Sequence, residues 1–189
     1  MKESIKKQAS EFFKAENFDR NSEYYCETRD IFQARLDKMT NFLLKEKVLN
    51  EDDVYIISAA AGEIGNNSFD HNIGLWIGEM GIFYAYMLND NKFIVALSDA
   101  GQGILSTLKK VKPEIESDKD ALKIAFNERV SGRAPESRGN GLKFVKANIK
   151  ERGMHLEFVS GNAKVELNDV EKIEEINNFY QGCVAIISN

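Results

Sequence analysis

Glu63 and Asn67 stand one helical turn apart in the run GEIGNNSFDHN. On a helix that spacing puts a carboxylate and a carboxamide on one face. The amide oxygen of Asn67 suits a Mg²⁺ ion that also takes phosphate oxygens and water. The Glu63 carboxylate suits a base, or a group that orients an attacking hydroxyl or water. The same spacing recurs at Glu46/Asn50, Glu136/Asn140 and Glu174/Asn178, so by itself it fits a solvated helix face equally well. Context sets the first pair apart. Its polar residues lie directly before the apolar stretch IGLWIGEMGIFYAYML, where burial is expected, which makes them candidates for lining a cavity.

Two glycine-bearing runs complete the chemistry. Asp99-Ala100-Gly101-Gln102-Gly103 lies just past a strand end. An ionised carboxylate only accepts hydrogen bonds, so Asp99 suits an exocyclic amine such as the N6 amine of adenine. The glycines let the backbone pass close to a flat ring or a phosphate, although a tight strand-to-loop turn would use the same residues. Arg138-Gly139-Asn140-Gly141-Leu142 precedes a helix, and free N–H groups at a helix start form an anion site. Arg133, Arg138, Lys143 and Lys146 add positive charge there, while a plain glycine-rich helix start fits the same letters.

Elements must hold these residues in place. Residues 1–16 read as a short polar helix that packs poorly or reaches for a partner. From Ser22 to Lys47 apolar residues fall mostly at helical spacing, and Asn50 with Asp53 opens the helix that carries Glu63. IFYAYML (82–88) and KFIVALS (92–98) read as an antiparallel hairpin. Residues 104–138 are charged and mixed, with one helix near 118–129. A helix at 141–152, a strand at 154–160, a short strand and a polar stretch after Gly161-Asn162 (161–181, with no place in the fold), and a strand at 182–188 finish the chain. Helices on a mostly antiparallel sheet make a two-layer α+β sandwich.

Composition narrows the classes of function. The chain has 189 residues, 43% of them hydrophobic, enough for a proper core and too many for a disordered chain. A net charge of −5 argues against general affinity for nucleic acid or anionic lipid. Cys26 and Cys183 provide no disulfide framework and no C-x-x-C zinc pair, and His71 and His155 cannot build a His-rich metal site. The apolar stretch before residue 88 is broken by Glu79 and glycines, so no membrane span is expected. The N-terminus has no apolar core of the signal-peptide kind, which predicts a cytoplasmic protein.

The three runs, in this order, resemble the Bergerat-fold or GHKL ATPases: gyrase-type topoisomerases, heat-shock chaperones, histidine kinases and mismatch-repair ATPases. Glu63 to His71 is similar to the family's N box, Asp99 to Gly103 to its first glycine box, and Gly139 to Leu142 to its second. NSFDH is similar to both the gyrase-type and the kinase wording of the N box. The resemblance covers residues 50–188 and implies an ATP·Mg²⁺ site between an antiparallel sheet and a mobile lid. It implies that Asp99 meets adenine, Asn67 holds Mg²⁺, and Glu63 is the base or water-positioner. Gly101, Gly103, Arg138, Gly139, Gly141 and Leu142 would line the nucleotide, with the lid at 104–138.

No transducer segment of the gyrase type and no helical hairpin with a phosphoacceptor histidine is recognised. The size resembles the freestanding serine kinases of anti-sigma-factor switches, but the first strand they usually carry is not evident, since 1–50 reads as helix. The expectation is therefore a helical extension at 1–49 and an ATP-binding domain at 50–189. It would transfer the γ-phosphoryl group to a partner protein or hydrolyse ATP as a switch. A nucleotide-gated module that sequesters a partner without catalysis is the alternative, with a homodimer among the arrangements.

Overall fold

Two capped helices set the frame. Thr28 accepts a hydrogen bond from the Ile31 N–H and caps the first of this pair, and a shorter helix comes before both in the chain. In the computed structural model, which describes residues 2–14, 19–77, 79–89, 92–128 and 141–189, that shorter helix is α1 (Lys2–Glu11), ending in a single tight turn (Phe12–Lys14). The helix that Thr28 caps is α2 (Arg29–Glu46). Asn50 accepts the Asp53 N–H and opens α3 (Glu51–His71), whose first turn carries Glu51, Asp52 and Asp53 against the positive end of the helix dipole.

The sheet is wholly antiparallel, in the order β1-β2-β3-β5-β4. Its strands are β1 (Tyr25–Cys26), β2 (Ile82–Asn89), β3 (Lys92–Asp99), β4 (His155–Leu167) and β5 (Glu171–Ser188). The expected hairpin is β2–β3, with Asn89 paired to Lys92. A short edge strand stands where the sequence reads as helix: Tyr25 and Cys26 pair with Phe83 and Ile82. Two residues are too few to show a period of two, so the helical spacing around them concealed the strand. The unplaced polar stretch at 161–181 extends β4 and β5 into one long hairpin. Ala163, Val165 and Leu167 are buried along it, with Lys164 ion-paired to Glu166 and Glu174 between them. Alternation, not overall polarity, is the relevant signal there.

Helices α2, α3, α5 (Asp118–Asn127) and α6 (Gly141–Glu151) cover one face of the sheet, as the α+β sandwich requires. Phe32, Met39 and Leu43 of α2 share that core with Ile57 of α3, Leu122 and Phe126 of α5, and Val95 and Leu97 of β3. Residues 1–49 thus give the sheet an edge strand and the core four buried side chains from α2. The reverse face carries Phe83, Ala85, Ile94, Ala96, Val184 and Ile186, and α1 lies over it with Ile5 and Ala9 buried. That corrects the reading of residues 1–16 as a helix that packs poorly. Ser98 of β3 and Tyr180 of β5 both donate hydrogen bonds to the Ala9 carbonyl, which holds the helix in place.

Residues 104–128 of the expected lid contain α4 (Gly103–Lys109) and α5. Its composition suggested few apolar contacts, but Leu108, Ile115 and Ala121 bury one another, and Leu122 and Phe126 enter the main core. The remainder of that segment, including Arg133 and Arg138, lies outside the described residues.

The approach of α2 to α3 depends on Gly65. A Cβ there would stand 2.3 Å from the Phe32 ring, which is fully buried. Alanine normally stabilises a helix interior by about 1 kcal/mol over glycine. Overpacking a closed core costs about 1–3 kcal/mol, and here it should win. Gly65→Ala is therefore expected to lower the thermal midpoint, and a rise on calorimetric melting would show that the two helices separate freely.

Candidate functional site

The last two turns of α3 place Glu63, Asn67 and His71 at intervals of four, with Ser68 and Asn72 following at the same interval. On the same side of the helix and mostly one or two turns earlier, Ile57, Ala60, Ala61 and Ile64 are buried, so the polar edge is fixed in direction. It faces the end of β3 and the start of α6. A cleft forms between them, enclosing about 840 Å³ between protein atoms with its open mouth included. Glu63, Asn67, Ser68, His71, Asn72, Asp99, Gly103, Gly141 and Leu142 line it with apolar Ile64, Ile104, Leu108, Ala125 and Phe158. An apolar cleft with a few convergent polar groups is the candidate site.

Asp99 closes the cleft at its floor. Its side chain is 2% exposed, with Oδ1 accepting the Gly101 N–H at 2.8 Å and Oδ2 accepting the Ser68 hydroxyl at 2.7 Å. Burial pushes its carboxyl above the ordinary carboxylate range, and donors from Ser68, Gly101, Cys183 and Asn72 work in the opposite direction. A Cβ on Gly182 would fall 2.2 Å from the Asp99 carbonyl oxygen and 2.6 Å from Oδ1. Gly182 has φ +81°, so β5 passes Asp99 in a conformation and at a distance that only glycine permits.

The glycines of the run after β3 act on the protein itself. A Cβ on Gly101 would lie 2.0 Å from the Asn72 side chain, which donates to the Ser68 carbonyl and accepts the Gln102 N–H at 2.9 Å. The Gly101 carbonyl accepts from the Gln181 side chain. Gly101 therefore ties the loop to the end of α3 and does not line the cleft. Gly103, at φ +77°, turns the chain into α4, and the following Ile104 N–H donates to Ser160 Oγ at 3.0 Å.

At the other wall, Gly141 begins α6, and a Cβ on it would meet Glu63 Oε1 at 2.0 Å. The Glu63 carboxylate thus rests against the start of that helix, where negative charge is favoured. Arg138 and Gly139, expected to bind phosphate, lie outside the described residues. Lys146, expected to add positive charge, is committed elsewhere: it pairs with Glu171 of β5 and donates to Asn127.

Asn67 has no hydrogen-bond partner among the described residues, and its carboxamide opens on the cleft beside Glu63. Among the same residues no three His, Cys, Asp or Glu side chains gather to hold a metal. An ion at Asn67 would therefore take most of its ligands from a bound phosphate and water, which is the habit of Mg²⁺. Burial, with Lys110 nearby, pushes the His71 imidazole below its usual range and leaves it neutral at physiological pH. Sequence reasoning missed Ser68, Asn72, Ser160 and Cys183. The first two sat in plain view at helical spacing, whereas the others come from β-strands whose register the sequence does not state.

No protein-family model matches the chain, and no curated protein matches it. Among solved structures it is similar to a chain of the SiaB–SiaC complex from Pseudomonas aeruginosa, at 15% identity and a TM-score of 0.46. That alignment covers 87% of this chain and 85% of the other. No helix among the described residues is long and apolar enough to cross a membrane. Function therefore rests on the cleft.

Cys183 gives an independent check on the cleft wall. Burial, and next the Asp99 carboxylate, push its thiol well above the ordinary range, so the thiolate is scarce below pH 9. Alkylation by iodoacetamide at pH 8 should be on the order of tenfold slower in the native protein than in urea, since only the thiolate reacts. Equal rates, read by mass spectrometry, would show that the wall is open.

Proposed function

We propose that the cleft binds ATP with Mg²⁺ and acts at its terminal phosphate, as a switch directed at a protein partner. The observation that carries the reading is the meeting of Glu63, Asn67, Asp99, Gly103 and Gly141, from three separate stretches of sequence, around one cleft. Asp99 would accept the adenine amine at the cleft floor. Asn67 would hold Mg²⁺, which draws charge from the triphosphate when bound. The amides at the start of α6 would face phosphate oxygens. Glu63 would orient the attacking hydroxyl or water and take its proton.

One observation favours a second reading. Glu63 occupies the very helix start that a phosphate would approach, so nucleotide entry would have to displace it from Gly141. Such a displacement could reposition α6 without any bond being broken, as a nucleotide-gated binding module requires.

Calorimetry with ATP tests the shared premise. Binding should be strong with Mg²⁺ and weak without it, and Mg²⁺ alone should give little heat. Asp99→Asn, folded by circular dichroism, should lose roughly tenfold or more in ATP affinity, because a donor then faces an amine. Unchanged affinity would remove adenine from Asp99. Glu63→Gln then separates the two readings. Turnover of γ-labelled ATP should fall by about 10²-fold or more with binding retained, the usual scale of a general base. A wild-type protein that binds but never turns over ATP, alone or with its partner, would leave the gating reading.

A further inference from the structure

We propose that Ser68 is a positioning residue: its hydroxyl keeps the Asp99 carboxyl a pure acceptor, and so sets the preference of the cleft for a purine with an exocyclic amine. The inference rests on the adenine reading of Asp99 given above.

The geometry around Asp99 divides its neighbours into fixed and adjustable ones. Gly101 and Cys183 offer backbone N–H groups, which the β3–β5 register and the loop hold in place. Gly182 leaves no room for the carboxyl to move toward β5. Ser68 stands opposite, on α3, and is a side chain that lines the cleft. Its hydroxyl has one proton and two candidate acceptors: Asp99 Oδ2 at 2.7 Å and the Ile64 carbonyl at 3.4 Å. The shorter contact takes the proton. The hydroxyl therefore donates to Asp99.

What that donation prevents is the point of the proposal. A carboxyl with 2% exposure is driven by burial to take up a proton of its own. Among the described residues its titratable neighbours supply no positive charge to resist this: Tyr180 and Cys183 face it from β5, and Glu63 and His71 share the cleft from α3. Protonated, Asp99 would become a donor. It would then suit the oxo group of hypoxanthine or guanine and oppose the amine of adenine. Each donor removed from the carboxylate favours that unwanted form; of the two side-chain donors, Asn72 also holds the Ser68 carbonyl and the Gln102 N–H, so Ser68 is the one whose removal leaves the loop after β3 tied to α3.

The test is the ratio of dissociation constants for ITP and ATP, both with Mg²⁺, measured by calorimetry. The wild-type protein should prefer ATP by on the order of tenfold or more, the cost of one mispaired buried polar group. Ser68→Ala should shrink that preference several-fold, and Ser68→Thr, which restores a hydroxyl, should recover most of it. A merely structural role would weaken both nucleotides together and leave the ratio unchanged, which overturns the proposal. If Ser68→Ala does not fold, Ser68→Cys carries the same test, with similar volume and a weak donor. A wild-type protein that binds ATP and ITP equally would instead remove the adenine reading itself. Discrimination in the wild type that persists in Ser68→Ala would remove only the role of Ser68.

Discussion

A carboxyl group buried at the end of β3 is the constraint on which the surrounding structure depends. Removing a carboxylate from water without hydrogen bonds is prohibitive, so the chain must deliver donors to Asp99 from every side. It does so with the amides of Gly101 and Cys183 and the hydroxyl of Ser68. Each donor in turn fixes something larger. The Gly101 amide fixes the loop that leads to α4. The Cys183 amide fixes the pairing of β3 with β5. The Ser68 hydroxyl fixes the last turns of α3 against the sheet. Such a group is costly for stability alone and makes sense where a ligand is to be met by a preorganised acceptor.

The adjacent residue carries the same strand's other duty. Side chains alternate along β3, so Ser98 points to the reverse face and donates to the Ala9 carbonyl of α1. Two consecutive residues thus connect the cleft on one side of the sheet with the helix that covers the other. Any shift of β3 by one register step would exchange them, burying Asp99 under α1 and opening Ser98 to the cleft. The apolar pattern of IFYAYML and KFIVALS, buried on both faces, makes such a shift expensive.

How far the sequence shows this depends on the range of the interaction. The start of α3 is local, since Asn50 reaches only to Asp53, and it is readable as written. The β2–β3 hairpin is nearly local and equally readable. Glu63 and Asn67 announce a shared face through helical spacing, and that face does line the cleft. By contrast, β1 is legible only from its pairing with β2, and the burial of α1 only from the reverse face of the sheet. The polar letters of 161–181 conceal the length of the β4–β5 hairpin, because only Ala163, Val165, Leu167 and Tyr180 among its side chains are buried. Gly182 is the sharpest case. Nothing beside it in sequence explains it, and its reason is Asp99, brought up against it by strand pairing.

The glycines of the cleft also change meaning once distances are known. Read as sequence, the Gly-x-Gly runs suggest backbone left bare for a phosphate. In the fold, Gly101 is bare for Asn72, Gly141 for Glu63, and Gly182 for Asp99. Each of these three polar side chains is pressed against a glycine of another element, at a distance a side chain there would not permit. Two of these contacts, at Asp99 and Asn72, are backed by further hydrogen bonds to the loop after β3. The third differs in kind. Glu63 holds the start of α6 through a contact that any phosphate entering there would contest, with like charge against like. A phosphate group and the Glu63 carboxylate cannot both occupy that helix start, so a phosphate bound there would act on the contact between α3 and α6.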